Sequence, residues 1–226
     1  MKIIVANWKM NGNFEFADKF VEEINAVDSK NTIVVCPPTA LLCRFHSFRY
    51  YIGAQNCYCE EYGAYTGENS PKLLKEAGCE YILIGHSERR HIFQETDDLI
   101  FKKWQAAIAQ NLTPIVCIGE KSCDRHNWKQ AISTQLNSFL KKDLHSSIFA
   151  YEPVWSIGTD LVPRFDEIET IFEFIRDLLR ATVPLLYGGS VSSQNASQLL
   201  NYARMDGLLV GRASLKINEF KRILIQ

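Results

Sequence analysis

Short apolar runs, rich in β-branched residues, recur along the whole of this chain and limit what it can fold into. They occupy residues 2–7, 32–36, 51–56, 81–85, 113–118, 148–151, 183–187 and 207–210. Each run is close to continuously hydrophobic. A strand with one buried face alternates apolar and polar side chains, whereas a continuous run marks a strand covered on both faces, as in a parallel sheet. The segments between them carry a helical period instead. Phe16, Phe20, Val21 and Ile24 fall on one helix face, as do Ile168, Ile171, Phe172, Ile175, Leu178 and Leu179. Strand followed by helix, eight times over, suits a doubly wound sheet or a closed barrel, and the count of eight predicts an α/β chain closed into a (β/α)8 barrel. No linker, low-complexity tract or change of composition interrupts the 226 residues, so residues 1–226 are expected to form a single domain. That is lean against the about 250 residues usual for such a barrel.

Composition excludes several classes of function. The chain has 25 basic and 26 acidic residues, a net charge of -1, and so no field to draw in nucleic acid or an anionic membrane. No apolar run approaches the length of a membrane span, and the first is too short for a signal-peptide core, so a cytoplasmic protein is expected. The seven cysteines are an odd number with no C-x-x-C pair. Cys36, Cys79 and Cys117 sit in or beside apolar runs and read as small buried hydrophobes, and no metal is expected.

In a (β/α)8 barrel, chemistry belongs at the C-terminal ends of the strands. The residues following the runs are Asn7-Trp8-Lys9, Gly85-His86-Ser87-Glu88-Arg89, Cys117-Ile118-Gly119-Glu120, Tyr151-Glu152-Pro153, Tyr187-Gly188-Gly189-Ser190 and Val210-Gly211-Arg212. A lone lysine there is usually a solvated loop residue, a lone histidine a structural one and a lone glutamate the partner of a nearby cation. On a single rim, Lys9, His86 and Glu152 suit proton transfer at carbon. The carboxylate can act as base, and a neutral imidazole, with Ser87 expected as N-cap, can polarise a carbonyl. The lysine offsets negative charge. Backbone N–H groups after Gly189 and Gly211 suit a phosphate.

These stretches also resemble a known family. Asn7-Trp8-Lys9-Met10-Asn11, Ala54-Gln55-Asn56, Gly63-Ala64-Tyr65-Thr66-Gly67-Glu68, Ile84-Gly85-His86-Ser87-Glu88-Arg89-Arg90, Cys117-Ile118-Gly119-Glu120, Tyr151-Glu152-Pro153-Val154-Trp155 and Tyr187-Gly188-Gly189-Ser190-Val191 are similar, in order, to the signatures of the triosephosphate isomerases. The resemblance implies a single-domain TIM barrel that interconverts dihydroxyacetone phosphate and glyceraldehyde 3-phosphate in glycolysis and gluconeogenesis, with no cofactor. It implies Glu152 as base, His86 as electrophile, Lys9 and Asn7 as substrate and charge-offsetting groups, and Glu88 beside them. Gly158, Ser190, Gly211 and the N–H of Arg212 would hold the phosphate. Pro153, Val154, Trp155, Ser156, Ile157, Gly158, Thr159, Asp160, Leu161, Val162 and Pro163 would form a lid. Thr66 would reach a second subunit, which implies a homodimer whose substrate is a small phosphorylated triose. A non-catalytic phosphate-binding barrel, kept as a binding or scaffold protein, is the alternative.

The chain departs from the family pattern in four places. Asp160 replaces a lid glycine, so any positive φ there is costlier. Pro163 stands where the closed lid usually offers an N–H to the tyrosine at 187, and proline has none. Tyr187→Phe is therefore expected to slow this protein less than its relatives. Arg212 replaces the second glycine of the last phosphate turn; its side chain would either add charge beside the phosphate or, as exposed arginines usually do, point outward. The short connection over residues 176–183 is expected to trim an outer helix.

Overall fold

A computed structural model describes residues 1–159, 161–201 and 205–226. Eight strands close into a parallel barrel in sequence order: β1 (Ile3–Asn7), β2 (Thr32–Cys36), β3 (Tyr51–Ala54), β4 (Tyr81–Ile84), β5 (Thr113–Ile118), β6 (Ile148–Tyr151), β7 (Leu185–Tyr187) and β8 (Gly207–Val210). The ring closes where Ile3 pairs with Gly207. A Cβ on Gly207 would stand 1.8 Å from the Ile3 carbonyl oxygen, so only glycine permits this seam. β7 starts later than its apolar run because Pro184 has no N–H for the ladder, although its carbonyl still accepts from Phe149.

The continuous apolar runs have a direct structural cause. Val5, Val34, Cys36, Leu83, Ile115, Cys117, Ile148, Ala150, Leu186 and Leu209 fill the barrel interior. Their neighbours along the strands, among them Ile4, Ala6, Ile33, Ile82, Val116, Phe149 and Leu208, pack outward beneath the helices. Cys36, Cys79 and Cys117 are free and buried.

The helical layer comprises α1 (Phe14–Asn25), α2 (Pro71–Glu76), α3 (Ser87–His91), α4 (Asp97–Ala109), α5 (Trp128–Leu136), α6 (Phe165–Leu179), α7 (Ala196–Asn201) and α8 (Ile217–Leu224). Asn13 caps α1 by accepting from the Phe16 N–H, and Ala17, Phe20, Val21 and Ile24 form its buried face. Ile168, Ile171, Phe172, Ile175 and Leu179 do the same for α6.

One expectation about the helices needs correction. The β2–β3 connection holds a 3-10 helix over Thr39–Arg44 in place of an α-helix. It follows Pro37-Pro38, and the rings of Phe45 and Phe48 fold back so that both face Phe20. The connection over residues 176–183 begins inside the last turn of α6. α6 runs to Leu179 and, at 15 residues, is the longest helix among the described residues, ending at Arg180 in the left-handed region (φ 49°). No helix of the described residues is long and apolar enough to cross a membrane.

Candidate active site

Side chains alternate along a strand, so the residue two beyond an interior position points into the barrel mouth. Val5, Ala150, Leu186 and Leu209 are interior. Asn7, Glu152, Gly188 and Gly211 therefore come together at the C-terminal rim, where all four line a cleft of about 660 Å³. Space around Glu152 is tight. A Cβ on Gly188 would lie 3.0 Å from its Cγ, and one on Gly119 would lie 1.8 Å from its carbonyl oxygen. The glycines after β5 and β7 let Glu152 lie against both neighbouring strands.

Glu152 and His86 are each only 4% exposed. His86 Nε2 lies 3.1 Å from Glu152 Oε1, and the Ser87 N–H donates to Oε2 at 3.2 Å. The expectation that Ser87 caps the following helix is corrected: His86 is itself the N-cap of α3, and its Nδ1 accepts from the Glu88 N–H at 3.2 Å. An imidazole nitrogen that accepts must carry a lone pair, so this cap assigns the hydrogen to Nε2, the atom facing Glu152. Burial pushes the Glu152 carboxyl up. The His86 ring, the Ser87 N–H and the Lys9 ammonium together outweigh burial and hold it below its ordinary value.

Lys9 is fixed from its backbone outward. Its φ of 53° lies in the left-handed region, which an L-residue enters at a cost of about 1–2 kcal/mol. Three contacts hold it there. The Lys9 N–H donates to Asn7 Oδ1 at 3.0 Å, and Gln55 Nε2 donates to the carbonyls of Lys9 at 2.8 Å and Cys36 at 2.9 Å. The ammonium then meets Glu88 Oε1 at 2.6 Å, at the edge of the same cleft.

The same cleft is also lined by Gly158, Ser190, Gly211 and Arg212, together with Ile157, Thr159 and Val162 of the expected lid. Arg212 does not point outward: its guanidinium turns toward the lid, with Nη2 at 3.5 Å from the Thr159 carbonyl. Ser190 Oγ donates to the Ser156 carbonyl at 2.8 Å and to that of Thr159. At the lid's first end, Trp155 Nε1 and Tyr151 Oη both donate to Glu120 Oε1, at 2.8 and 3.1 Å. Burial pushes the Glu120 carboxyl above its ordinary value despite these donors. Pro153 and Pro163 are buried, and Asp160 lies outside the described residues. Thr66 is exposed in the segment between β3 and α2 and is not among the residues that line the cleft.

Three groups escape a reading by motif. Gln55 sits in the quoted Ala54-Gln55-Asn56 stretch, but nothing in the sequence shows that it clamps Lys9. The Ser87 contact is made by a backbone N–H, which residue identity does not reveal. Ser156 reads as an ordinary lid residue, yet it is wholly buried, with its Oγ 3.3 Å from the Tyr187 hydroxyl.

Comparison with known proteins is consistent along the chain. The family model for triosephosphate isomerase matches residues 2–226. The triosephosphate isomerase of Francisella tularensis subsp. mediasiatica (strain FSC147) is 40% identical over 244 residues, covering 100% of this chain and 96% of the relative. That of Aquifex aeolicus (strain VF5) is 38% identical over 243 residues, covering 99% and 98%. That of Buchnera aphidicola subsp. Schizaphis graminum (strain Sg) is 37% identical over 244 residues, covering 99% and 96%. With a closed eight-stranded barrel, a glutamate and a histidine in contact at its rim and matches of this extent, the chain belongs to the triosephosphate isomerase family.

Proposed function

We propose that this protein interconverts dihydroxyacetone phosphate and D-glyceraldehyde 3-phosphate by proton transfer through an enediolate. The observation that carries the reading is the convergence of Glu152, His86 and Lys9 on one cleft that the glycine-containing turns after β7 and β8 also line. Glu152 takes a proton from the hydroxyl-bearing carbon, and the C–H electron pair moves into the carbon skeleton to give the enediolate. The Nε2–H of His86 hydrogen-bonds the carbonyl oxygen as it gains charge and carries a proton between the two oxygens. Glu152 returns its proton to the adjacent carbon. Lys9 offsets the negative charge, Asn7 holds the Lys9 turn at the substrate, and Glu88 sets the position of the ammonium. The phosphate sits among Gly158, Ser190, Gly211 and the backbone N–H of Arg212, with the lid of residues 153–163 above it, which keeps water from the intermediate.

In this structure both oxygens of Glu152 are engaged by His86 and Ser87. The base must exchange those bonds for the substrate carbon, and its depressed pKa keeps it ionised and ready at neutral pH. The groups named suffice for this chemistry without a cofactor or metal. We further propose a cytoplasmic homodimer in which Thr66 reaches the partner subunit. Exposed Met10, Tyr62, Tyr65, Ile92 and Phe93 supply apolar surface that a second copy could cover.

A coupled assay of glyceraldehyde 3-phosphate conversion tests the reading, with Glu152→Asp beside the wild type. Fast wild-type turnover and a loss of orders of magnitude on shortening the side chain are expected. Binding of a phosphate analogue without turnover in either protein would overturn it in favour of a scaffold. Sedimentation of the wild type as a monomer at micromolar concentration would remove the dimer.

A further inference from the structure

The following rests on that functional reading and concerns how the lid is held. We propose that Ser156 is a positioning residue whose hydroxyl ties the two limbs of the lid to β7 and to the turn that follows it. Ser156 belongs to the first limb and is 0% exposed. Its Oγ donates to the carbonyl of Leu161 in the second limb at 2.6 Å. The Ser190 N–H donates to the same Oγ at 3.4 Å, and the Tyr187 hydroxyl lies 3.3 Å away. A serine hydroxyl has one hydrogen and two lone pairs. With that hydrogen on Leu161, Tyr187 must be the donor to Ser156, and the bonds run in one direction from Tyr187 to Ser156 to Leu161. All the bonding capacity of the hydroxyl is used.

The rest of the segment makes this tie matter. Pro163 closes the second limb and has no N–H to give. The Leu161 side chain is 60% exposed and anchors little by packing. The Leu161 N–H bonds only locally, to Thr159 Oγ1 at 3.2 Å, so the Leu161 carbonyl is the polar handle that ties the second limb to Ser156. The Ser156 carbonyl accepts from Ser190 Oγ at 2.8 Å and from Thr159 Oγ1 at 3.1 Å, so one residue binds the lid to the 187–190 stretch through both its side chain and its backbone. Fit around the hydroxyl is close, since a Cβ on Gly189 would come within 2.8 Å of it. Ser156 is not among the residues that line the cleft, so it acts through the lid and touches no substrate. Tyr187, to which Pro163 has no N–H to offer, has its partner in Ser156.

A loosened lid lets the enediolate take its side path. The bond between carbon and the phosphate oxygen breaks, inorganic phosphate leaves with the electron pair, and the remaining enol becomes methylglyoxal on protonation at carbon. Phosphate released per isomerisation thus reports closure in a way that a general loss of stability does not. The experiment compares wild type, Ser156→Ala, Tyr187→Phe and the double variant, measuring kcat/KM, released phosphate and thermal midpoint. Each single change is expected to lower kcat/KM about tenfold, the size of one buried hydrogen bond left unmade, and to raise the phosphate ratio. The double variant is expected to be no worse than either single, because both break the same chain of bonds. Wild-type kcat/KM and phosphate ratio in Ser156→Ala would overturn the proposal. So would single effects that multiply, or a lowered midpoint with an unchanged ratio. A wild type without isomerase turnover would instead remove the functional reading beneath it.

Discussion

Gly188→Ala tests whether the glycine after β7 serves the base or the phosphate. Its φ is not positive, so alanine brings no backbone strain of the left-handed kind. The new Cβ would stand 3.0 Å from Cγ of Glu152 and 3.3 Å from Cβ and Cδ2 of Leu209. Ordinary carbon contacts begin about 0.5 Å further out. Leu209 sits in the packed barrel interior, so the Glu152 side chain is the neighbour that must give way. It is held at its far end by His86 and Ser87, and a shift of some tenths of an ångström moves its carboxylate off the reacting carbon. Misplacement by 1 Å costs on the order of 100-fold in rate, so half of that predicts a loss in kcat of about tenfold. KM should change little, because the Gly188 backbone is undisturbed. Steady-state kinetics in both directions, with a thermal melt as control, separates the outcomes. An unchanged kcat with a raised KM would show that this glycine exists for the phosphate and would refute the packing argument.

Three further predictions follow from other parts of the molecule. Lys103, 1% exposed, is bonded to Glu95 Oε1 at 2.5 Å and Asn56 Oδ1 at 2.9 Å, with Arg89 on the same glutamate oxygen at 2.7 Å. Lys103→Met leaves that buried carboxylate with Arg89 alone and should cost about 3 kcal/mol, or roughly 6–12 °C in a thermal melt; a drop under about 2 °C would count against it. The folded-state pKa of Glu120 is raised, so its favourable contribution is complete at acid pH and is lost as pH rises through the folded value. Glu120→Gln cannot ionise and should therefore gain stability relative to wild type between acid and neutral pH, whereas a pH-independent difference in melting point would contradict the assignment. Arg212→Gly removes the guanidinium at Thr159 and should weaken phosphate inhibition severalfold at low salt, but by less than about tenfold because the side chain is exposed; an unchanged inhibition constant would return Arg212 to a purely structural place.

Much of this was legible in the sequence, for identifiable reasons. The strands stood out because a closed parallel barrel buries both faces of every strand, and a run such as Thr113–Ile118 has no polar side to show. The rim groups were legible as the residues just after each apolar run, and the structure shows why they face inward: the period of two carries Asn7 and Glu152 in from Val5 and Ala150. The β2–β3 connection misled because strand–helix alternation is a regularity of the fold, while Pro37-Pro38 and the small number of residues left before β3 allow only a 3-10 helix. Residue type favours Ser87 as the cap, but the imidazole of His86 takes that place because its Nδ1 reaches the Glu88 N–H. The left-handed backbone of Lys9 was not readable, since it is imposed by Asn7 and by a distant Gln55. The direction of Arg212, toward the Thr159 carbonyl, was not readable because it is a contact between residues far apart in the chain. Pro163 showed which donor was missing, but only the structure showed Ser156 beside Tyr187.

The most direct test of the proton-transfer account is isomerisation in heavy water, following the hydrogen gained by the product carbon. If Glu152 shuttles the proton, product should carry solvent deuterium at that carbon, because a carboxylic acid exchanges with solvent, and Glu152→Asp should slow the reaction by orders of magnitude. Product free of deuterium, formed as fast by Glu152→Asp as by wild type, would contradict the assignment of Glu152 as the base.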